Sequence, residues 1–290
     1  MKDLSVICVN YNSAEITAAC LDSVFAHTSG LDFELILADN ASVDASRGRF
    51  SGDPRITYLY SEENLGFGRA NNLALASASG RNILFLNTDT LLRDNALKTL
   101  SDYLDAHPAV GAVGPNLVDA DGRPGQSFMR FYPSLWAEFD TFWDGLPSRL
   151  RYGKRRFFNS GSQSLEVAVI SGAALCVRRS VLEAVGAFDP DFFMYFEDTE
   201  LCHRIGAAGW KLVNLPSVRI VHLGGASSGN LATHAMKTRS WKIYLSKTRP
   251  PRCASFLLLC RKCTVLSRIA LHSFRPRLRR KWKSYWRELQ

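Results

Sequence analysis

The chain has 290 residues, of which 46% are hydrophobic, so it is long and apolar enough for one large packed domain or two small ones and is neither fibrous nor disordered. Its net charge of +9 is unevenly spread: residues 237–290 hold 16 Lys or Arg against one acid, Glu288, whereas residues 1–236 hold 20 basic and 26 acidic residues. A basic tail on an acidic body points to an anionic partner for the tail, nucleic acid or a phospholipid surface, and to neither for the body.

The first residues run straight into "LSVICVN" with no basic leader or long apolar stretch, which predicts a cytoplasmic chain. Seven cysteines are an odd number, and Cys8, Cys20, Cys176 and Cys202 lie among apolar neighbours, which predicts reduced thiols. Apolar runs bounded by turn residues then predict strands from Leu4 to Asn10, Phe33 to Asp39, Ile56 to Tyr60 and Asn82 to Asp89. Between them, helical spacing joins Ile16, Cys20 and Val24, then Ala70, Leu73 and Ala74, then Leu97, Leu100 and Leu104. Strand and helix in alternation predict an α/β fold, a mostly parallel sheet with helices on both faces. Ligands of such sheets sit at the carboxyl ends of the strands, and polar clusters fall there: Asn10-Tyr11-Asn12, Asp39-Asn40 and Asn87-Thr88-Asp89.

Farther on, "DGLPSRLRYGKRRFFNSG" (144–161) reads as a mobile loop. "SLEVAVISGAALCVRRSVLEAVG" predicts a strand, a turn at Gly172, a short strand and a helix, and "WKLVNLP" and "VRIVHLGG" predict two more strands of a mixed sheet. A helix is expected from near Asp198 to Gly209, with Leu201, Ile205 and Ala208 on its buried face.

Several clusters could carry chemistry. Asp89 ends an apolar strand, where a carboxylate either caps a helix or holds a divalent cation whose other ligands are phosphate oxygens. "SEENLGFGRANN" places Gly66, Gly68 and Arg69 at the mouth of a helix, which is either an anion site or a plain turn. Glu197 and Asp198 open a helix, where acids are stabilised as caps. The preceding Phe192, Phe193, Tyr195 and Phe196 would also form a dry wall that raises a carboxyl pKa towards the range of a general base. His222, at a strand end, is either a structural residue or a metal ligand facing Asp89, and His203 reads as structural. Cys260 and Cys263 have the spacing of half a zinc site, with no second pair following.

In order along the chain, "VICVNYNS", "ILADNASVD", "NLGFGRANN", "LFLNTDT", "ISGAALCVRR", "GAFDPDFFMYFEDTELCHRIGAAGW" and "VHLGGAS" together resemble the inverting family 2 glycosyltransferases, most closely their rhamnosyltransferase-like branch, over about residues 4–247. The resemblance implies a GT-A fold: residues 1–236 would form the glycosyltransferase domain, with a nucleotide-binding half at about 1–118 and an acceptor half at about 119–236. Residues 237–290 would be a basic amphipathic helical tail. By the same resemblance Asp39 contacts the nucleobase beside Val9, Asn10 and Tyr11. Asn64, Gly66, Arg69, Asn87 and Thr88 complete the donor site. Gly172, Ala173, Tyr195 and Phe196 belong to the acceptor site. Asp89 is the acid of a DxD-type motif whose first acid is here Asn87, so Asp89 and His222 together would bind Mg²⁺ or Mn²⁺. Asp198 is the catalytic base and Glu197 its neighbour.

The implied activity is transfer of L-rhamnose from dTDP-rhamnose to a hydroxyl of a lipid-linked or cell-surface glycan precursor. The alternatives are a UDP-sugar donor on the same fold, or a donor-binding or membrane-associated protein without catalysis. No nucleic acid partner is expected, since no recognition motif accompanies the tail. The tail's apolar run is too short and too interrupted by charge to span a bilayer. Leu257, Leu258, Val265, Ile269, Trp282 and Trp286 are expected to lie on the membrane surface instead, placing the protein at the inner face of the cytoplasmic membrane.

Overall fold

The computed structural model describes residues 1–153, 156–224, 231–271, 282–283 and 286–289. Apolar side chains on both sides of the first strands leave them stable only when covered on both faces. β1 (Leu4–Asn10), β2 (Phe33–Asn40), β3 (Thr57–Ser61) and β4 (Asn82–Leu86) pair in parallel in the order β3-β2-β1-β4. They are joined through α1 (Ala14–His27), α2 (Ser46–Phe50) and α3 (Phe67–Leu75). Beyond them come β5 (Thr90–Leu91), α4 (Ala96–Ala106), β6 (Val110–Val118), β7 (Phe128–Met129), α5 (Leu135–Phe142) and α6 (Leu146–Tyr152). β8 (Leu165–Glu166), β9 (Val169–Ile170), β10 (Ala174–Arg178), α7 (Arg179–Val185), α8 (Glu197–Ala207) and β11 (Lys211–His222) follow, then α9 (Leu231–Thr248) and α10 (Pro251–Leu271), and the described residues 282–283 and 286–289 are helical too.

The described strands form a nine-stranded sheet in the order β3-β2-β1-β4-β10-β6-β11-β5, with β8 added to β11, and β7 and β9 pair apart from it. β10 runs antiparallel between β4 and β6, so the parallel strands of the first half continue into a mixed second half within one sheet. Val6 and Cys8 pack on one face with Leu21 and Val24 of α1 and Leu97, Leu100 and Leu104 of α4. Ile7 packs on the other with Val181 of α7 and Leu201 and Ile205 of α8. The parallel order brings the carboxyl ends of β1, β2 and β4 to one edge, where Asn10, Asp39 and Asn87 lie.

Several expectations need correction. β6 was not foreseen, because Gly111, Gly114 and Pro115 break its apolar pattern. Those glycines sit where the strand is crowded: a Cβ on Gly114 would lie 2.2 Å from Ile170 Cγ2 and one on Gly111 2.7 Å from Trp210 Cβ. "WKLVNLP" and "VRIVH" form a single strand, β11, with an irregularity between Leu215 and Arg219. Ile16 and Leu73 are exposed, and Ala208 falls just past the end of α8. The expected loop at 144–161 contains α6, whose first turn is fixed by Asp140: its carboxylate accepts from the Ser148 N–H at 2.7 Å and from Ser148 Oγ at 2.9 Å.

The largest correction concerns the tail. Leu257 and Val265, expected to face a membrane, are buried against Phe192, Trp241, Tyr244 and Leu245, and Leu258, Ile269, Trp282 and Trp286 pack partly on the same cluster. Arg261 on α10 makes a bidentate pair with the buried Glu138 of α5, through Nε at 2.6 Å and Nη2 at 2.5 Å, and lies over the Trp241 ring at 4.6 Å. A guanidinium held in this way is desolvated and matched to its partner in shape, which fixes α10 to the body. The large apolar residues that α10 leaves exposed are Phe256, Leu259, Leu266 and Leu271. All seven cysteines are free thiols.

Candidate active site

Asp198 lies in the first turn of α8, a position reached through two successive left-handed residues, Tyr195 (φ 69°) and Phe196 (φ 68°). Neither is glycine, so this turn is strained and needs support from its surroundings. α9 supplies it: Ser240 Oγ donates to the Met194 carbonyl at 2.7 Å, Lys237 lies 4.8 Å from the centre of the Tyr195 ring, and Phe196 packs at 6.0 Å on Tyr244. The Asp198 carboxylate is held from three directions. Gly172 N–H donates to Oδ2 at 2.9 Å, and Thr199 donates to Oδ1 from its N–H at 2.6 Å and its hydroxyl at 3.1 Å. Burial raises its pKa above the usual aspartate value and these hydrogen bonds oppose the rise. The oriented carboxylate opens into a cleft of about 580 Å³ that is also lined by Arg130, Phe131, Arg156, Tyr195, Phe196 and Lys237.

Glu197, expected beside it as a second acid, is buried and does not line this cleft. Its Oε2 has no hydrogen-bond partner, and burial, with a smaller contribution from the Asp198 charge, pushes its pKa up to about 8. It is therefore mostly protonated at neutral pH. The folded pKa lies above the ordinary value of 4.5, so the stability that the protonated form contributes is complete below pH 4.5 and declines as pH rises towards 8. Glu197→Gln, neutral at every pH, is expected to remove that decline: wild-type Tm should fall between pH 5 and 8 more than the variant's, and equal falls in thermal melts would contradict the assignment.

The expected metal ligands meet on the other side of the Gly172-Ala173 turn. Pairing of β5 with β11 sets His222 opposite Thr90, and the Leu223 N–H donates to the Asp89 carbonyl at 2.9 Å. This register places His222 Nε2 3.2 Å from Asp89 Oδ1. Asn87 is two residues before Asp89, and its Oδ1 is buried without a partner. The Asn87 N–H donates to the Ala173 carbonyl at 3.0 Å and Gly172 to Asp198, so two hydrogen bonds across one turn connect the two groups. Among the described residues no cluster of three or more His, Cys, Asp or Glu could hold a metal, Cys260 and Cys263 included. One carboxylate, one imidazole and an orphaned amide oxygen do fit Mg²⁺ or Mn²⁺ if substrate phosphates complete the shell.

The remaining expected donor residues divide. Thr88 is buried, Val9 is half-buried beside Ala38 and Tyr11 is exposed. Asn10 is buried and serves the strand end, with Nδ2 donating to Ser42 and Oδ1 accepting from Ser13 and Thr17. Asp39 is buried and already accepts from the Ser42 N–H at 2.9 Å and from Tyr58 Oη at 2.6 Å. The glycine loop makes its contacts with the chain itself. A Cβ on Gly66 would lie 2.3 Å from the Phe193 carbonyl oxygen, Phe67 N–H donates to that oxygen, and Arg69 Nε donates to the Pro190 carbonyl. Asn64 Oδ1 accepts from Asn40 and from the Gly66 N–H. These residues anchor the segment that leads to Asp198. The aromatic run of that segment is also split: Phe192 is buried under the tail, Phe193 is exposed, and Tyr195 and Phe196 face the cleft. His203 is structural, stacked edge-on to Tyr132 and Tyr244.

Residues 5–186 match the description "Glycosyl transferase family 2". The chain belongs to this family. As a family 2 glycosyltransferase it is similar to the N-acetylglucosaminyl-diphospho-decaprenol L-rhamnosyltransferase of Mycobacterium tuberculosis, with 31% identity over 257 residues covering 81% of this chain and 82% of that one. It also resembles rhamnosyltransferase WbbL of Escherichia coli K12, with 26% identity over 193 residues covering 63% and 71%. A solved mannosyltransferase of Pyrobaculum calidifontis, in complex with GDP-Man and Mn²⁺, superposes with a TM-score of 0.60 at 19% identity, covering 99% of this chain and 85% of that one. The glycosyltransferase thus has the GT-A fold and is rhamnosyltransferase-like. Sequence reasoning missed the cationic lining of its cleft, Arg130, Arg156 and Lys237. The single Arg inside the apolar stretch "SFMRFYP" was the available signal.

Proposed function

We propose that this glycosyltransferase is inverting and metal-dependent, and moves L-rhamnose from dTDP-rhamnose to a hydroxyl of a lipid-linked sugar diphosphate. The observation that carries this reading is the Asp198 carboxylate, oriented by Gly172 and Thr199 and open to the cleft. The similarity to the mycobacterial L-rhamnosyltransferase supports the donor sugar and the acceptor class.

Inversion is one in-line displacement. Asp198 accepts the proton of the acceptor hydroxyl as its oxygen bonds to the anomeric carbon, and the bond from that carbon to the donor diphosphate breaks on the opposite face. Asp89 and His222, with Asn87 beside them, would hold Mg²⁺ or Mn²⁺, which supplies charge neutralisation for the departing diphosphate. Tyr195 and Phe196 exclude water from the attacking side, which protects the donor from hydrolysis.

The test is product formation from a panel of nucleotide sugars with Mn²⁺ and an N-acetylglucosamine-diphospho-lipid acceptor. Transfer from dTDP-rhamnose is the expected result. Transfer from UDP-sugars alone, or from none, would sink this reading.

We further propose that the reaction takes place at the cytoplasmic face of an anionic membrane. In support, the exposed Phe256, Leu259 and Leu266 of α10 lie in the basic part of the chain. Co-sedimentation with phosphatidylglycerol vesicles that is unchanged in Phe256→Asp/Leu259→Asp would remove this element.

A further inference from the structure

The cleft in front of Asp198 has two features that general base catalysis does not use. The first is its charge. Arg130, Arg156 and Lys237 all line it, and only Arg156 has a carboxylate partner, Asp140 at 3.3 Å. Arg130 lies 4.9 Å from the centre of the Tyr152 ring and Lys237 lies over Tyr195, and among the described residues neither is paired with an acid. Two cations held on aromatic rings beside a third form a ready site for a multiply charged anion.

The second feature is a series of ring contacts leading out of the cleft. Phe131, in its lining, meets Trp136 edge-on at 6.3 Å. Trp136 meets Phe139 at 5.9 Å, Phe139 meets Trp143 at 6.4 Å, and Trp143 meets Phe142 at 5.6 Å. Phe139 and Trp143 are 49% and 52% exposed, so an unbroken aromatic strip runs from the cations to the surface along α5. Ala137 and Thr141 of the same helix face the cleft, so one helix separates polar interior from apolar exterior.

We infer that the cleft binds the diphosphate of the acceptor lipid on Arg130, Arg156 and Lys237, and that the hydrocarbon chain leaves over the aromatic strip of α5. This rests on the lipid-linked acceptor proposed above and assigns it a subsite. The donor also carries a diphosphate, but an in-line displacement sends that group away from the attacking hydroxyl. The cations share the cleft with the base, whereas Asp89 and His222 are not part of its lining. A cationic pocket that continues into an apolar track is complementary to an amphiphile, and neither inorganic phosphate nor a neutral glycan would use both parts.

The probes are farnesyl diphosphate, farnesol and inorganic pyrophosphate, titrated calorimetrically into the full chain, with dTDP plus Mn²⁺ as the donor-side control. Farnesyl diphosphate is expected to bind about tenfold or more tightly than either of the others. Arg130→Ala/Lys237→Ala should weaken farnesyl diphosphate and pyrophosphate by about tenfold or more and leave dTDP unchanged. Phe139→Ser, at a half-exposed position, should weaken farnesyl diphosphate alone. Equal affinity for farnesol and farnesyl diphosphate would overturn the inference, as would weakened dTDP binding in the double variant or unchanged farnesyl diphosphate binding in either variant. Because no sugar transfer is measured, this result is separate from the donor screen: the screen can fail while the diphosphate subsite stands, and the reverse.

Discussion

Asp198→Asn is expected to lower kcat by about 10²- to 10⁴-fold while dTDP-sugar affinity in the presence of Mn²⁺ stays close to wild type. Although the bond from Gly172, made to the other carboxylate oxygen, is lost, the amide is nearly the same size and its one oxygen can still accept from Thr199, so the start of α8 should stay helical. What it loses is basicity, and with it the destination of the acceptor proton in the transition state. On the proposed reading the donor is bound at strand ends on the other side of the Gly172-Ala173 turn, so its binding should not register the change. The pH profile sharpens the test. The active base is deprotonated, and burial holds its pKa above the ordinary aspartate value of 3.8. Activity should therefore fall as pH drops through that raised value, and the acid limb of kcat/KM should lie above the range of an exposed aspartate. Wild-type turnover in the variant, or an acid limb at the exposed value, would remove Asp198 from the role.

Asp89→Ala should act on the other partner of the displacement. It removes the single carboxylate of the pair with His222, and since even outer partners of a bound metal are worth 10- to 100-fold in its affinity, loss of this ligand should cost about 10²-fold or more in Mn²⁺-dependent dTDP affinity. Asn87 and His222 remain in the variant but carry no negative charge with which to compete for a hydrated cation. Calorimetry in Mn²⁺ and in chelator measures this directly: wild type should lose affinity in chelator, and the variant should already be at that lower level. A wild-type affinity that chelator leaves untouched would exclude the metal role of Asp89.

The structure also changes the meaning of the basic tail. In the sequence, residues 237–290 look like an appendage to a domain that ends at 236, yet α9 starts at Leu231 and supports the strained Tyr195-Phe196 turn through Ser240, Lys237 and Tyr244. The backbone leading to Asp198 is therefore braced by the start of the segment whose composition points to an anionic partner. The charge of the tail was legible because it is a sum over residues. The direction in which its apolar side chains point was not, since α10 has apolar residues on more than one side and only the positions of Phe192 and Glu138 decide which side is buried.

Much of the site was present in the order of the motifs. Parallel pairing delivers strand ends to one edge whatever the loops do, so Asn10, Asp39 and Asn87 could be placed together from periodicity, and the strand carrying His222 ends beside β5 as its apolar pattern allowed. The glycine loop at Gly66 left an anion site and a plain turn open for a physical reason: a glycine marks the need for space, and the sequence does not show that the chain's own Phe193 comes this close.

The sequence by itself determined the alternating parallel half, the family, and the acids and imidazole available to the chemistry, because these depend on local pattern and residue type. Only the tertiary structure separated Glu197 from Asp198. The two are adjacent on one helix, about 100° apart around its axis, and they differ in what remote segments place against each: Gly172 and an open cleft at Asp198, and burial without a partner for Oε2 at Glu197.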